Sequence, residues 1–157
     1  MKSKVYIETS VVSYLVGRPS KDLIVAARQV ITYDWWHSEL HKFDPRISSY
    51  VIDEAESGDH IVASKRMEAL AGFPLLKNHE DIDGLAQAYL DKTQLPEKCR
   101  LDCLHMAVAS FYAIDFLVSW NCKHIVNGMT IEKITQVNQG LGLKTPNIRT
   151  PEELYGD

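Results

Sequence analysis

Hydrophobic positions along this chain fall into two alternating textures. Short β-branched and aromatic runs recur at "KVYI" (4–7), "RISSYV" (46–51), "FPLLK" (73–77), "DFLVSW" (115–120) and "PNIRT" (146–150). Runs of this length and content predict buried strands. Between them lie longer stretches with apolar residues at helical spacing. "SVVSYLVG" predicts a short first helix, closed by Gly17, Arg18 and Pro19. Ser20 is placed to cap a long helix carrying Leu23, Ile24, Ala27, Val30, Ile31 and Trp35 on one side. Residues 53–72 supply helical material interrupted near Gly58. "EDIDGLAQAYLDK" buries Ile82, Leu85, Ala86 and Tyr89, and "PEKCRLDCLHMAVASFYA" begins with Pro96 at a favoured early helical position. "TIEKITQVNQGLG" predicts a last helix ending in glycine. Strands separated by helices imply an α/β fold with parallel pairing in a layered sheet.

Composition refines this picture without redirecting it. At 157 residues, one domain spanning 1–157 is the expectation, with no repeat, low-complexity tract or linker to divide it. Hydrophobic content of 45% and charged content of 24% are those of a soluble globule. The longest apolar runs, such as "AIDFLVSW", are too short to span a bilayer, and no secretion signal opens the chain. Three cysteines with no CxxC pair fit a reducing cytoplasm, the expected location. Lysine and arginine number 17 against 21 acids, a net charge of −4. That balance argues against a broad nucleic-acid-binding surface, yet leaves room for a nuclease whose site concentrates carboxylates.

Sites in parallel sheets form outside the carboxyl ends of the strands, which draws attention to the polar residues there. The apolar run 4–7 stops at Glu8-Thr9-Ser10, although a charge at a buried strand tip is costly unless something pairs with it. Asn121 follows the fourth strand, and Glu54 lies within four residues of the second. Glu54 also fits a solvated acid at a helix start. Asp102 is the lone acid in a helix otherwise apolar from Leu101 to Ile114, which marks a buried helix. Carboxylate and amide oxygens without cysteine or histidine suit hard cations such as magnesium or manganese. A cation so held binds a phosphate oxygen and activates a water, the chemistry of phosphodiester hydrolysis. No Gly-rich phosphate loop, serine nucleophile elbow or GxGxxG fingerprint competes with this reading.

Four of these segments, in this order, resemble the PIN domain, a family of metal-dependent ribonucleases that includes VapC-type toxins. "ETSVVSYL" resembles its opening motif, "YVIDEA" the segment with its second acid, "DCLHMAVA" the helix with its third, and "FLVSWNCKHI" the strand end with its fourth. The resemblance implies a three-layer α/β/α sandwich around a central parallel sheet. It also implies an endoribonuclease site of Glu8, Glu54, Asp102 and Asn121 binding Mg2+ or Mn2+, an RNA substrate and a separate antitoxin. Two positions depart from the family pattern: Glu8 stands where an aspartate is usual, and Asn121 contributes an oxygen but no charge. These departures keep open an alternative, a PIN-like binding or scaffold protein with a weakened metal site. Thr9, Ser10 and His105 are supporting candidates, and His105 also fits a core histidine. Arg18, Lys21, Lys123 and His124 are candidates for RNA phosphate contacts, against the alternative of solvated loops. Cys99, Cys103, Cys122 and His124 suggest zinc, but their spacing matches no standard pattern. Trp35 and Trp36 cannot both face one core from a helix, so one is expected at a rim or a homodimer interface.

Overall fold

A computed structural model describes residues 1–156. The elements run β1 (Ser3–Ile7), α1 (Thr9–Val16), α2 (Leu23–Ser38), β2 (Phe43–Ser48), α3 (Ser49–Ala55), α4 (His60–Leu70) and β3 (Leu75–Leu76). They continue with α5 (Glu80–Thr93), α6 (Arg100–Phe111), β4 (Phe116–Val118), α7 (Gly128–Leu141) and β5 (Asn147–Arg149). The strands form one all-parallel sheet in the order β3-β2-β1-β4-β5. The fold is the expected three-layer α/β/α sandwich. Parallel crossovers are right-handed. The helices between β1, β2 and β3 therefore cover one face, while α5, α6 and α7 cover the other.

That order has a consequence for the position of a site. From β1 the chain winds outward through β2 to β3, then crosses to β4 on the other side of β1 and continues to β5. The winding reverses between β1 and β4, and a crevice opens at the carboxyl ends of strands on either side of such a reversal. Glu8 follows β1 directly, its N–H donating to Val118 O at 3.1 Å, and Ser119 to Asn121 follow β4. Val5, Tyr6, Ile7, Ile47, Leu117, Val118 and Ile148 are buried in the sheet. Val11, Val12 and Val51 on one side and Ile82, Tyr89, Met106 and Val108 on the other complete the core.

Several boundaries differ from the sequence reading for identifiable reasons. The second strand covers Phe43–Ser48 rather than 46–51. Pro45 argues against a strand interior, but β3 pairs only with Ile47 and Ser48, so residue 45 has an unpaired side where a missing N–H costs nothing. Ser49 to Val51, read as strand, begin α3. The long second helix is capped by Asp22, which accepts from Ile24 N and Val25 N at 3.0 Å each, rather than by Ser20. Ser20 instead accepts from Asp22 N. Pro96 precedes a short 3-10 turn (Glu97–Cys99), and α6 starts only at Arg100. The third strand shrinks to Leu75–Leu76. The break near Gly58 is real: Gly58 has φ +85°, a conformation that favours glycine, and Asp59 then caps α4. Among the described residues, no helix is long and apolar enough to cross a membrane.

Candidate metal centre

The four residues singled out in sequence meet at the carboxyl edge of the sheet, each delivered by a different element. Glu8 is the N-cap of α1, and its carboxylate accepts from Ser10 N (3.0 Å), Ser10 Oγ (2.6 Å) and Ser119 Oγ (2.5 Å). It is only 5% exposed. These donors are neutral, so the charge is hydrogen-bonded but not compensated. Ser10 Oγ also accepts from Trp120 N at 2.8 Å, tying the start of α1 to the end of β4.

Glu54 reaches in from α3. Its Oε1 accepts from Thr9 Oγ1 and pairs with His105 Nε2, each at 2.6 Å. Behind it a polar chain runs into the core: Tyr6 OH is 2.6 Å from His105 Nδ1 and 2.7 Å from Ser48 Oγ. Burial acts to raise the Glu54 carboxyl, but the His105 bond and charge and the Thr9 hydroxyl outweigh it and hold it below the ordinary carboxylate range. Burial likewise acts to lower His105, yet its bond to Glu54 and the charges of Glu8, Glu54 and Asp102 leave it raised. In the imidazolium form both ring nitrogens donate, Nε2 to Glu54 and Nδ1 to the Tyr6 oxygen, whose own proton goes to Ser48. His105, a supporting candidate in sequence, is thus bonded directly into the site through Glu54.

Asp102 sits in the first turn of α6. Its carboxyl is raised first by burial and then by the charge of Glu8, with His105, His124 and Asn121 opposing. Asn121 does not play the expected part. Its Nδ2 donates to Asp102 Oδ1 at 3.1 Å, while its Oδ1 is occupied by His124 N at 2.9 Å. The amide presents a donor to the acids and turns its oxygen to the backbone, so it is not an oxygen ligand in this arrangement.

The fit to a divalent cation rests on this charge balance. Ligand atoms of Glu8, Glu54 and His105 lie within 4.8 Å of one another. Among the described residues, no lysine or arginine pairs with Glu8, Glu54 or Asp102. Arg66, which lines the same cleft, donates instead to Ala55 O (2.9 Å) and Ser57 O (2.5 Å) at the end of α3. Two carboxylates, Glu8 and Glu54, thus meet one imidazole, and Asp102 stands near enough to feel the charge of Glu8, an excess of negative charge that an oxygen-seeking cation relieves. The residues fit such an ion. Glu8 and Glu54 open into a cleft of about 610 Å³, lined also by Thr9, Ser10, Ser13 and Arg66, among others.

The weaker candidates divide. Thr9 and Ser10 bond the two glutamates directly. Arg18 does not line the cleft, and its exposed guanidinium pairs with Asp59 at 3.5 Å. Lys123 is exposed, whereas His124 is half-buried beside Asp102. Sequence reasoning overlooked Tyr6, Ser48, Ser119 and Arg66. Tyr6 looked like one more core aromatic, but the serines ending β2 and following β4 repeat the signal that marked Glu8, a polar residue where a strand stops. No protein-family model matches the chain, and no curated protein matches it.

Proposed function

We propose that this chain is a metal-dependent endoribonuclease of the PIN type, and that it acts as the toxin of a toxin–antitoxin pair. The observation that carries the reading is the meeting of Glu8 and Glu54, with Asp102 near them, at the winding reversal of a parallel sheet, where the two glutamates open to a cleft and no lysine or arginine among the described residues pairs with them. When bound, Mg2+ or Mn2+ would polarise a phosphate oxygen and lower the pKa of an attacking water. The chain's own part is preorganisation. Ser10 and Ser119 fix both oxygens of Glu8, so its orientation is set before any ion arrives. His105 and Thr9 keep Glu54 ionised and hold one of its oxygens, leaving the other free to face the cleft. Ser13, also lining the cleft, offers a neutral donor to an RNA phosphate without adding positive charge. The acids would repel RNA in the absence of the cation, so binding and chemistry share one requirement.

The departure at Glu8 is absorbed locally. A side chain one methylene longer than aspartate folds back to cap its own helix, with Ser119 reaching across from β4 to complete the bond set. The departure at position 121 is not absorbed, because the amide offers Asp102 a donor in place of a fourth charge. That observation favours the second reading, a PIN-like binding or scaffold protein whose metal site is too weak for turnover. As partners of either form we propose RNA, an antitoxin covering the cleft, and a second copy of the chain. A manganese-dependent cleavage assay on single-stranded RNA, with Asp102→Asn as control, separates the readings. The nuclease reading expects cleavage by the wild type that the variant and a chelator abolish; absence of cleavage at millimolar manganese favours the scaffold.

A further inference from the structure

A second set of ligand-type side chains meets on the far side of Asp102. Cys99 is the N-cap residue of α6 and makes no capping hydrogen bond, and Asp102 follows three residues later on the same face. His124 comes from the loop after β4. Ligand atoms of Cys99, Asp102 and His124 all lie within 4.8 Å of one another. His124 Nδ1 is buried without a hydrogen-bond partner among the described residues, an unusual state for an imidazole. Asn121 clamps two of the three: its Nδ2 holds Asp102 Oδ1, and its Oδ1 holds His124 N. The amide that supplies no oxygen to the acidic cleft thus has a different task, fixing the histidine loop against α6.

We propose that Cys99, Asp102 and His124 form a zinc site with one position left to solvent. A thiolate and an imidazole are donors that zinc takes and magnesium avoids, and zinc accepts a carboxylate beside them. Zinc bonds of ~2.0–2.3 Å in a tetrahedron place ligand atoms roughly 3.5 Å apart, a small contraction of the present cluster. The Cys99 proton leaves to solvent as the sulfur–zinc bond forms. Neither Cys103, which is buried, nor the exposed Cys122 belongs to the cluster. Asp102 also feels the charges of Glu8 and His105 across from it. Zinc on Cys99 and His124 therefore draws Asp102 away from Glu8 and Glu54, and inhibits any chemistry there that needs magnesium or manganese. The inhibition rests on the nuclease reading; zinc binding does not.

Cobalt substitution tests the binding half without reference to activity. The full-length reduced chain, titrated with Co2+, should show the near-ultraviolet sulfur-to-cobalt charge-transfer band, displaced stoichiometrically by Zn2+. Cys99→Ser should remove the band, and His124→Gln should weaken zinc by about tenfold or more in chelator competition. Cys103→Ser and Glu54→Gln should keep both signals. Circular dichroism shows whether each variant is folded, and His124, on a loop, serves if Cys99→Ser does not fold. A folded wild type without the band, or a band that survives Cys99→Ser, would overturn the site. Zinc binding lost in Glu54→Gln but retained in His124→Gln would place the ion in the acidic cleft and overturn it equally. If zinc binds as described but leaves manganese-dependent cleavage untouched, the sharing of Asp102 is wrong. If no cleavage occurs at all, the nuclease reading fails while the zinc site stands.

Discussion

Asn121 shows how far a single side chain can be read from its type. Its place at the end of the fourth strand was legible, because a polar residue closing an apolar run is a visible signal. Which end of its amide faces Asp102 was not, because that depends on a hydrogen bond from His124 N made by the loop that follows. Asn121→Asp keeps the bond from His124 but sets a second carboxylate about where the amide nitrogen stood. The metal-free variant should melt lower at neutral pH, and manganese should bind about tenfold tighter or better, since affinity for hard cations follows ligand charge. Calorimetry in manganese with paired melting curves checks both, and an unchanged affinity would remove position 121 from the site. Tyr6 is the converse case, since its hydroxyl was hidden inside an apolar pattern. Tyr6→Phe strands His105 Nδ1 and Ser48 Oγ in the core and should cost about 1–3 kcal/mol in denaturant unfolding. The Glu54–His105 pair also sets a pH dependence in chelated protein. Glu54, lowered from 4.5, stabilises above that value and loses its contribution as pH falls through its folded pKa. His105, raised from 6.5, stabilises fully below that value and loses its contribution as pH rises through its folded pKa. The pair's stabilisation is therefore greatest between 4.5 and 6.5. Melting temperature in EDTA should fall from that window toward pH 9, and His105→Gln should flatten the fall.

Among elements, the long periodic helices and the apolar strands announced themselves, while the short elements around the site did not. α3 is the clearest case. Its first residues, Ser49, Tyr50 and Val51, carry strand-like propensity, and the chain turns into a helix there because β2 has reached the sheet's carboxyl edge and Val51 has a core to enter. That turn swings Glu54 inward; continued as a strand, the segment would have carried it off the edge. α3 is only seven residues long and is held at its end by Arg66, whose guanidinium answers Ala55 O and Ser57 O. Arg66→Ala should therefore act at a distance. Two carbonyls lose their donor, the end of α3 frays, and manganese affinity should drop several-fold although Arg66 touches no carboxylate. Arg66→Lys should restore little, because a single ammonium cannot span both carbonyls as the guanidinium does. Hydrogen exchange over residues 49–57, faster in the variant, tells fraying from a simple change in charge.

The whole molecule owes its site to strand order, and that order lies outside the reach of local pattern. The alternation of strands and helices implied parallel pairing and layers. The placement of β4 beside β1, which brings residues 119–121 against Glu8, follows from nonlocal packing of the apolar strands. The doubled tryptophan resolves in the same way: Trp35 is fully buried beside Phe43, and Trp36 packs half-buried on Phe73. Trp35 thus has no exposure to lose on association. α2 leaves Leu23, Ile24, Val30 and Tyr33 in solvent, and these are the residues through which self-association is expected. Sedimentation should show a concentration-dependent dimer that Val30→Glu weakens, whereas a strict monomer at high concentration would remove the second copy from the proposed partners. Folding brings Glu8 and Glu54 together with Asp102 near them, and these three are proposed to share one hard divalent cation. Calorimetric titration of the chelator-treated chain with Mn2+, in the Cys99→Ser background to silence softer ligands, tests this most directly. Saturable binding is expected, weakened by about tenfold or more by each of Glu8→Gln, Glu54→Gln and Asp102→Asn, with pairs of substitutions failing to add because the three carboxylates share one ion. Manganese binding that ignores all three substitutions, or no saturable binding in a folded chain, would contradict it.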